Sequence, residues 1–149
     1  MLKGIDHRLN ADVLGTLRAM GHGDYLIVSD TNFPADTIAQ QTTLGYLLRM
    51  ENLTAAEAIN AVLSVLPLDT FVDDFAGRMR VGDDPGDIPA VQQEVIAEVA
   101  ATGETRAIED VERFAFYDLA KGAYAVIQTG ERRFYGCFML RKGVIPPEE

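Results

Sequence analysis

The chain is poor in the residues that build disulfides and metal sites. It has one cysteine, Cys137, and two histidines, His7 and His22, in 149 residues. One thiol makes no internal disulfide, and no CxxC pair or Cys/His cluster with zinc spacing is available. The lack of disulfides fits a reducing compartment. Bases are also scarce: 13 Lys and Arg stand against 23 Asp and Glu, giving a formal charge of −10 and a pI near 4.6. Nucleic acids and anionic membranes are bound through basic footprints, so this balance argues against both as partners. No apolar stretch approaches the ~20 residues of a membrane span. The opening segment, residues 1–8, carries charge at once, with no apolar run behind it, unlike a secretory leader. These features point to the cytoplasm.

Several motifs are missing as well. There is no Walker loop, GxSxG, HExxH or EF-hand loop. Gly21 and Gly23 begin a GxG, but the third glycine is absent and the strand follows instead of preceding. No cofactor and no metal are therefore expected. Asp73-Asp74 and Asp83-Asp84 are adjacent pairs, which in a strand point to opposite faces and make poor glycosidase carboxylates. Asn52-Leu-Thr54 matches a glycosylation sequon, but Thr54 is better explained as a helix cap.

What remains is an ordinary globular composition, 48% apolar and 24% charged, long enough for one core and one domain over residues 1–149. Asn10 to Met20 reads as a short helix with Asn10 as N-cap and Gly21 beyond its end. Tyr25 to Val28 reads as a buried strand. Ser29 to Asp36 reads as a turn. Thr54-Ala-Ala-Glu57 forms a capping box ahead of Ala58–Leu66, and Pro67 stops that helix. Thr70 to Phe75 reads as a strand, Pro89 to Ala101 as a helix with an acidic face, and Asp110 to Gly122 as another helix. Ala123–Gln128 and Phe134–Leu140 read as two strands, and the Thr129–Arg132 link between them suits a hairpin. Alternating helices and strands imply the α/β class, and two strands in tandem argue for a mixed sheet. Residues 69–112 hold 12 acids and three bases, whereas residues 113–142 hold six bases and two acids. Solvated acidic faces or a complementary contact between subunits would each account for that asymmetry.

Four groups of residues have chemical content. His22 sits between two glycines, and its unperturbed pKa near 6.5 suits proton transfer. Asp24 and Asp30 bracket the following strand and are candidates to orient the imidazole. A loop histidine beyond a helix C-cap is the structural alternative. Asp30-Thr-Asn-Phe-Pro34 lies at the C-terminal end of a strand, where α/β proteins place ligands; an Asx-turn is the alternative. Arg113-Phe-Ala-Phe-Tyr117 reads either as a stacking and hydrogen-bonding wall for a sugar, or as core positions Phe114 and Tyr117 with Arg113 reaching outward. Tyr135-Gly-Cys137 marks a bulge or a ligand close to the backbone. Cys137 reads as a buried apolar residue, not a nucleophile.

Taken in order and spacing, Gly4-Ile5, Met20-Gly-His-Gly-Asp24, Asp30–Pro34, Arg113–Tyr117 and Thr129-Gly-Glu131 through Tyr135-Gly136 resemble the RbsD/FucU family of sugar pyranases and mutarotases. The resemblance runs from about Met1 to Val144 and is looser over residues 40–110. Arg113–Tyr117 and Tyr135-Gly136 are more similar to the L-fucose mutarotase branch. The resemblance implies a three-layer α/β fold, a ring-like homo-oligomer (octamer or decamer), sites near subunit contacts, a free monosaccharide as substrate and no cofactor. It implies His22 as the catalytic acid/base. It also implies Asp30, Arg113, Tyr135, Gly136 and Cys137 as sugar-binding residues, with Tyr117 in a matching block. Cys137 departs from the family, which usually has asparagine there. The expected reaction is mutarotation of L-fucose or a similar sugar, with His22 positioned by Asp30. A ribose pyranase, a non-catalytic sugar-binding protein and a purely structural oligomer are the competing readings.

Overall fold

The computed structural model describes residues 1–148. Its first element is helix α1 (Ala11–Ala19), where the Asn10 side chain accepts from the Val13 N–H and caps the first turn. Strand β1 (Tyr25–Ser29) follows. Helix α2 (Ala35–Ala39) and strand β2 (Leu48–Met50) come next. Both lie where the sequence carries no strong periodic signal. Helix α3 (Ala55–Leu63) starts at the expected capping box: Thr54 Oγ1 accepts from the Glu57 N–H, and Glu57 returns a carboxylate oxygen to the Thr54 N–H.

The remaining elements are β3 (Ala76–Met79), α4 (Ala90–Ala101), β4 (Glu109–Val111), α5 (Arg113–Lys121), β5 (Ala125–Thr129) and β6 (Phe138–Arg141). The six strands form one mixed sheet in the order β2-β5-β1-β6-β3-β4. β6 runs antiparallel to both of its neighbours, and the other pairs are parallel.

Three expectations about elements are corrected. Residues 70–75 are not a strand, because β3 begins at Ala76. Residues 110–122 divide into the end of β4 and α5, with the Glu112 carboxylate accepting from the Phe114 and Ala115 N–H groups at the helix start. The last two strands form no hairpin, since β1 lies between them. The residues linking them are tied elsewhere. The Gly130 N–H bonds the Leu53 carbonyl and the Thr31 N–H bonds the Glu131 carbonyl, so the chain follows the exit of β1 instead of folding back on β5.

The sheet separates two cores. Leu26, Val28, Ala125, Ile127, Phe138 and Leu140 face α1, α3 and α4. Ile27, Val126, Cys137 and Met139 face α2 and α5. The alternation follows the period of two along a strand, and the outcome is a three-layer α/β/α sandwich. Phe75, Phe116 and Phe138 are fully buried, each stabilising the fold by about 1.5–3 kcal/mol.

Candidate functional site

The loops at the C-terminal ends of β1, β3 and β4 meet the segment that enters β6. Between them lies a cleft of about 210 Å³. It is lined by Asp30, Asn32, Phe33, Met79, Arg113, Tyr117, Phe134, Tyr135 and Cys137. Thus Asp30, Arg113, Tyr117, Tyr135 and Cys137, singled out separately in the sequence, converge on one place. Gly136 belongs to the same loop, and a Cβ there would meet Glu131 Cγ at 2.9 Å and Asp30 Cβ at 3.2 Å.

Asp30 anchors this arrangement. Its Oδ1 accepts from the Asn32 and Phe33 N–H groups, each at 3.0 Å, which is the Asx-type turn. Its Oδ2 accepts from the Gly136 N–H at 3.0 Å. The carboxylate is 4% exposed and spans two loops. Tyr135 follows the left-handed backbone, with φ 61°.

Arg113 opens α5 and donates from Nε to the Tyr117 hydroxyl at 3.2 Å, lying over the rings of Phe114 and Tyr117. Phe33 stacks on Tyr117 with ring centroids 5.5 Å apart. The helix therefore presents a cation, a hydroxyl and aromatic faces to the cleft, a set suited to hydroxyls and C–H faces of a small polar ligand. The core residue of this run is Phe116, while Phe114 is 67% exposed on the rim, against the core alternative for that position. Cys137 is buried, and burial together with the Asp30 charge pushes its thiol well above the ordinary range. It carries no thiolate near neutral pH.

His22 lies elsewhere. It precedes β1, whereas the cleft follows β1, and five strand residues at ~3.3 Å each put roughly 16 Å between the two ends. Asp30 therefore does not position His22 within one chain, correcting that expectation. Nor does Asp24, whose carboxylate accepts from the Gly21 N–H at 2.7 Å. The partner is Asp69, with Oδ1 3.1 Å from His22 Nε2. Asp69 is 1% exposed. Burial works to raise its carboxyl, but the Phe71 N–H and the His22 ring outweigh burial and hold it below the usual range. An ionised carboxylate only accepts, so His22 Nε2 is the donor in this contact. Phe71 lies against the imidazole, with centroids 5.1 Å apart, and is itself 70% exposed.

No local motif in the sequence marks Asp69; the contact spans 47 positions. Glu131 belongs to the Thr129-Gly-Glu131 block of the sequence. It is 3% exposed, accepts from the Ala55 N–H at the start of α3, and pairs with Arg133, which also bridges to Glu94 on α4. These contacts fasten the loop that carries Tyr135.

Comparison with known proteins agrees with this architecture. The model of the RbsD / FucU transport protein family matches residues 3–145. Human fucose mutarotase is 39% identical over 147 residues, covering 97% of this chain and 94% of that one. The crystal structure of protein Atu2016 is 58% identical, covers 98% of this chain and 97% of that one, and superimposes with a TM-score of 0.95. The fucose mutarotase of Streptococcus pneumoniae, solved in complex with L-fucose, is 32% identical, covers 97% of this chain and all of that one (100%), and gives a TM-score of 0.87. A family match across nearly the whole sequence, with full-length relatives that share the three-layer sandwich, establishes that this chain belongs to the RbsD/FucU family.

Proposed function

We propose that this protein is an isomerase that interconverts the anomers of L-fucose or a closely similar free sugar, in sites that two copies of the chain build together. The observation that carries the second half is the separation of His22 and the cleft at opposite ends of β1. The mutarotase names of its full-length relatives support the first half.

Mutarotation opens a cyclic hemiacetal and recloses it on the other face of the carbonyl. A proton leaves the anomeric hydroxyl and another reaches the ring oxygen, so one group that both takes and gives protons suffices. His22 has that role: Nδ1 takes the proton while Asp69 keeps the Nε2–H in place and stabilises the imidazolium that forms. Arg113, Asp30, Tyr117 and the Tyr135-Gly136-Cys137 run hold the sugar in the cleft. The chemistry moves no hydride and no phosphate.

In a head-to-tail assembly the His22 end of one copy meets the cleft of the next, and such heterologous contacts close into rings. Exposed aromatics at both ends support this: Phe71 beside His22, and Phe114 and Phe134 on the rim of the cleft, are 67–74% exposed. The ring-like homo-oligomer implied by the family resemblance, an octamer or decamer, is an assembly of this closed kind. The single buried thiol supports a cytoplasmic setting.

Magnetisation exchange between anomeric proton signals tests the activity on L-fucose, D-ribose, D-galactose and D-glucose. Faster exchange for L-fucose supports the reading. Acceleration restricted to the pyranose and furanose forms of ribose replaces it with a pyranase. Line broadening without exchange replaces it with a binding protein. The shared site is tested by mixing His22→Ala and Arg113→Ala chains, each inactive alone. Random head-to-tail assembly restores both groups at about a quarter of the sites. No recovery from co-assembled chains refutes the shared site.

A further inference from the structure

The Tyr135–Gly136 peptide unit is gripped from both sides. Its N–H donates to Asp30 Oδ2, and its carbonyl accepts from Gln92 Nε2 at 3.0 Å. Gln92 sits on α4, on the other face of the sheet from the cleft-lining Cys137, and is completely buried. Its second amide hydrogen goes to the Met79 carbonyl at 2.7 Å, and its Oε1 accepts from Arg78 Nη1 at 3.0 Å. Arg78 can only donate, so the orientation of the amide is determined: oxygen to the guanidinium, nitrogen to the two carbonyls.

Two features of this network are unfavourable taken alone. Among the described residues, Tyr135 is the one non-glycine residue with positive φ, a region that bulky side chains rarely occupy. Arg78 is 5% exposed and bonds to Gln92 and the Pro85 carbonyl, with no carboxylate paired to it among the described residues. A buried cation without a counter-ion is costly. The neighbouring inward positions of α4, Val91, Val95 and Val99, are filled by apolar residues. The polar pair thus keeps one backbone conformation at the cleft, where apolar packing would have served the core.

We propose that Gln92, oriented by Arg78, is a positioning residue that locks Tyr135 in its left-handed conformation and thereby sets the fit of the sugar cleft. The inference rests on the reading of that cleft as the sugar site.

Two variants separate positioning from stability. Gln92→Glu keeps an acceptor for Arg78 and supplies the missing counter-ion, but sets an oxygen against the Tyr135 and Met79 carbonyls. Gln92→Met removes every polar contact at similar volume. In both, KM for anomer exchange on L-fucose rises about tenfold while kcat stays within about twofold. Gln92→Glu does so with a higher melting temperature than Gln92→Met. The Tyr135 Cα chemical shift, read in tyrosine-labelled protein without sugar, leaves the left-handed range in both. An unchanged Cα shift in Gln92→Glu overturns the positioning role, as does a KM that follows melting temperature across the two variants. If the native protein exchanges no sugar, the functional reading fails, and the Cα shift still decides whether Gln92 holds Tyr135.

Discussion

Replacing Glu131 by glutamine weakens the fold by an amount that depends on pH in a calculable way. The Glu131 side chain is 3% exposed, and its two oxygens accept from Arg133 Nε and Nη2, each at 2.9 Å, from the Arg133 N–H and from the Ala55 N–H. The Arg133 guanidinium is the main cause that holds the carboxyl at about 2, against an ordinary 4.5. At about 1.4 kcal/mol per pH unit that depression is worth roughly 3 kcal/mol. Arg133 is 43% exposed, and solvent screening reduces the figure to about 2 kcal/mol. A depressed carboxyl stabilises the fold fully above the unfolded value, near 4.5, and loses that contribution as pH falls toward 2. Glu131→Gln therefore costs about 2 kcal/mol at pH 7, or about 4–8 °C in melting temperature for a chain of this length. The native and variant curves converge as pH falls from about 4.5 toward 2. Urea unfolding at one fixed protein concentration, repeated at pH 7, 5, 4 and 3, measures the gap. A gap that stays constant across that range would falsify the electrostatic account, and no gap at pH 7 would show that the pair contributes nothing.

Two further substitutions probe the chemistry and the fit. Asp69→Asn preserves the shape beside His22 but sets an amide against Nε2 and removes the charge that favours the imidazolium; anomer exchange falls about 10–100-fold with sugar affinity unchanged, and an equal loss in affinity contradicts the assignment. Cys137→Asn supplies a strong donor and acceptor in place of a thiol that does both weakly; calorimetric titration with L-fucose then shows tighter binding, and weaker binding shows that the buried position has no room for the amide.

Much of the site is legible in sequence because its chemistry is local. The Asx-turn at Asp30, the capping box at Thr54, and the Arg113–Tyr117 contact four residues along a helix all join neighbours in the chain. Nearness in sequence points from His22 to Asp24 and Asp30, whereas its partner Asp69 arrives through the segment that leads into β3. Gln92 and Arg78 are of residue types usually found in solvent, and nothing adjacent in the sequence announces that both are buried. The tandem strands resembled a hairpin for the same reason: a short linker states that pairing is feasible, but burial of both faces of the sheet gives the central place to β1.

By itself the sequence determined the α/β alternation, the starts of α1, α3 and α4, the impossibility of an internal disulfide with one cysteine, and several of the residues that line the cleft. These depend on hydrogen bonds and periodicities spanning a few residues, whose partners are present in any conformation of the chain. The tertiary structure alone decided the strand order, the Asp69 partner of His22, the buried Gln92 contact to Tyr135, and the placement of His22 and the cleft at opposite ends of one strand. Those depend on contacts across tens of residues, selected by which surfaces are buried together once the two layers of helices close on the sheet.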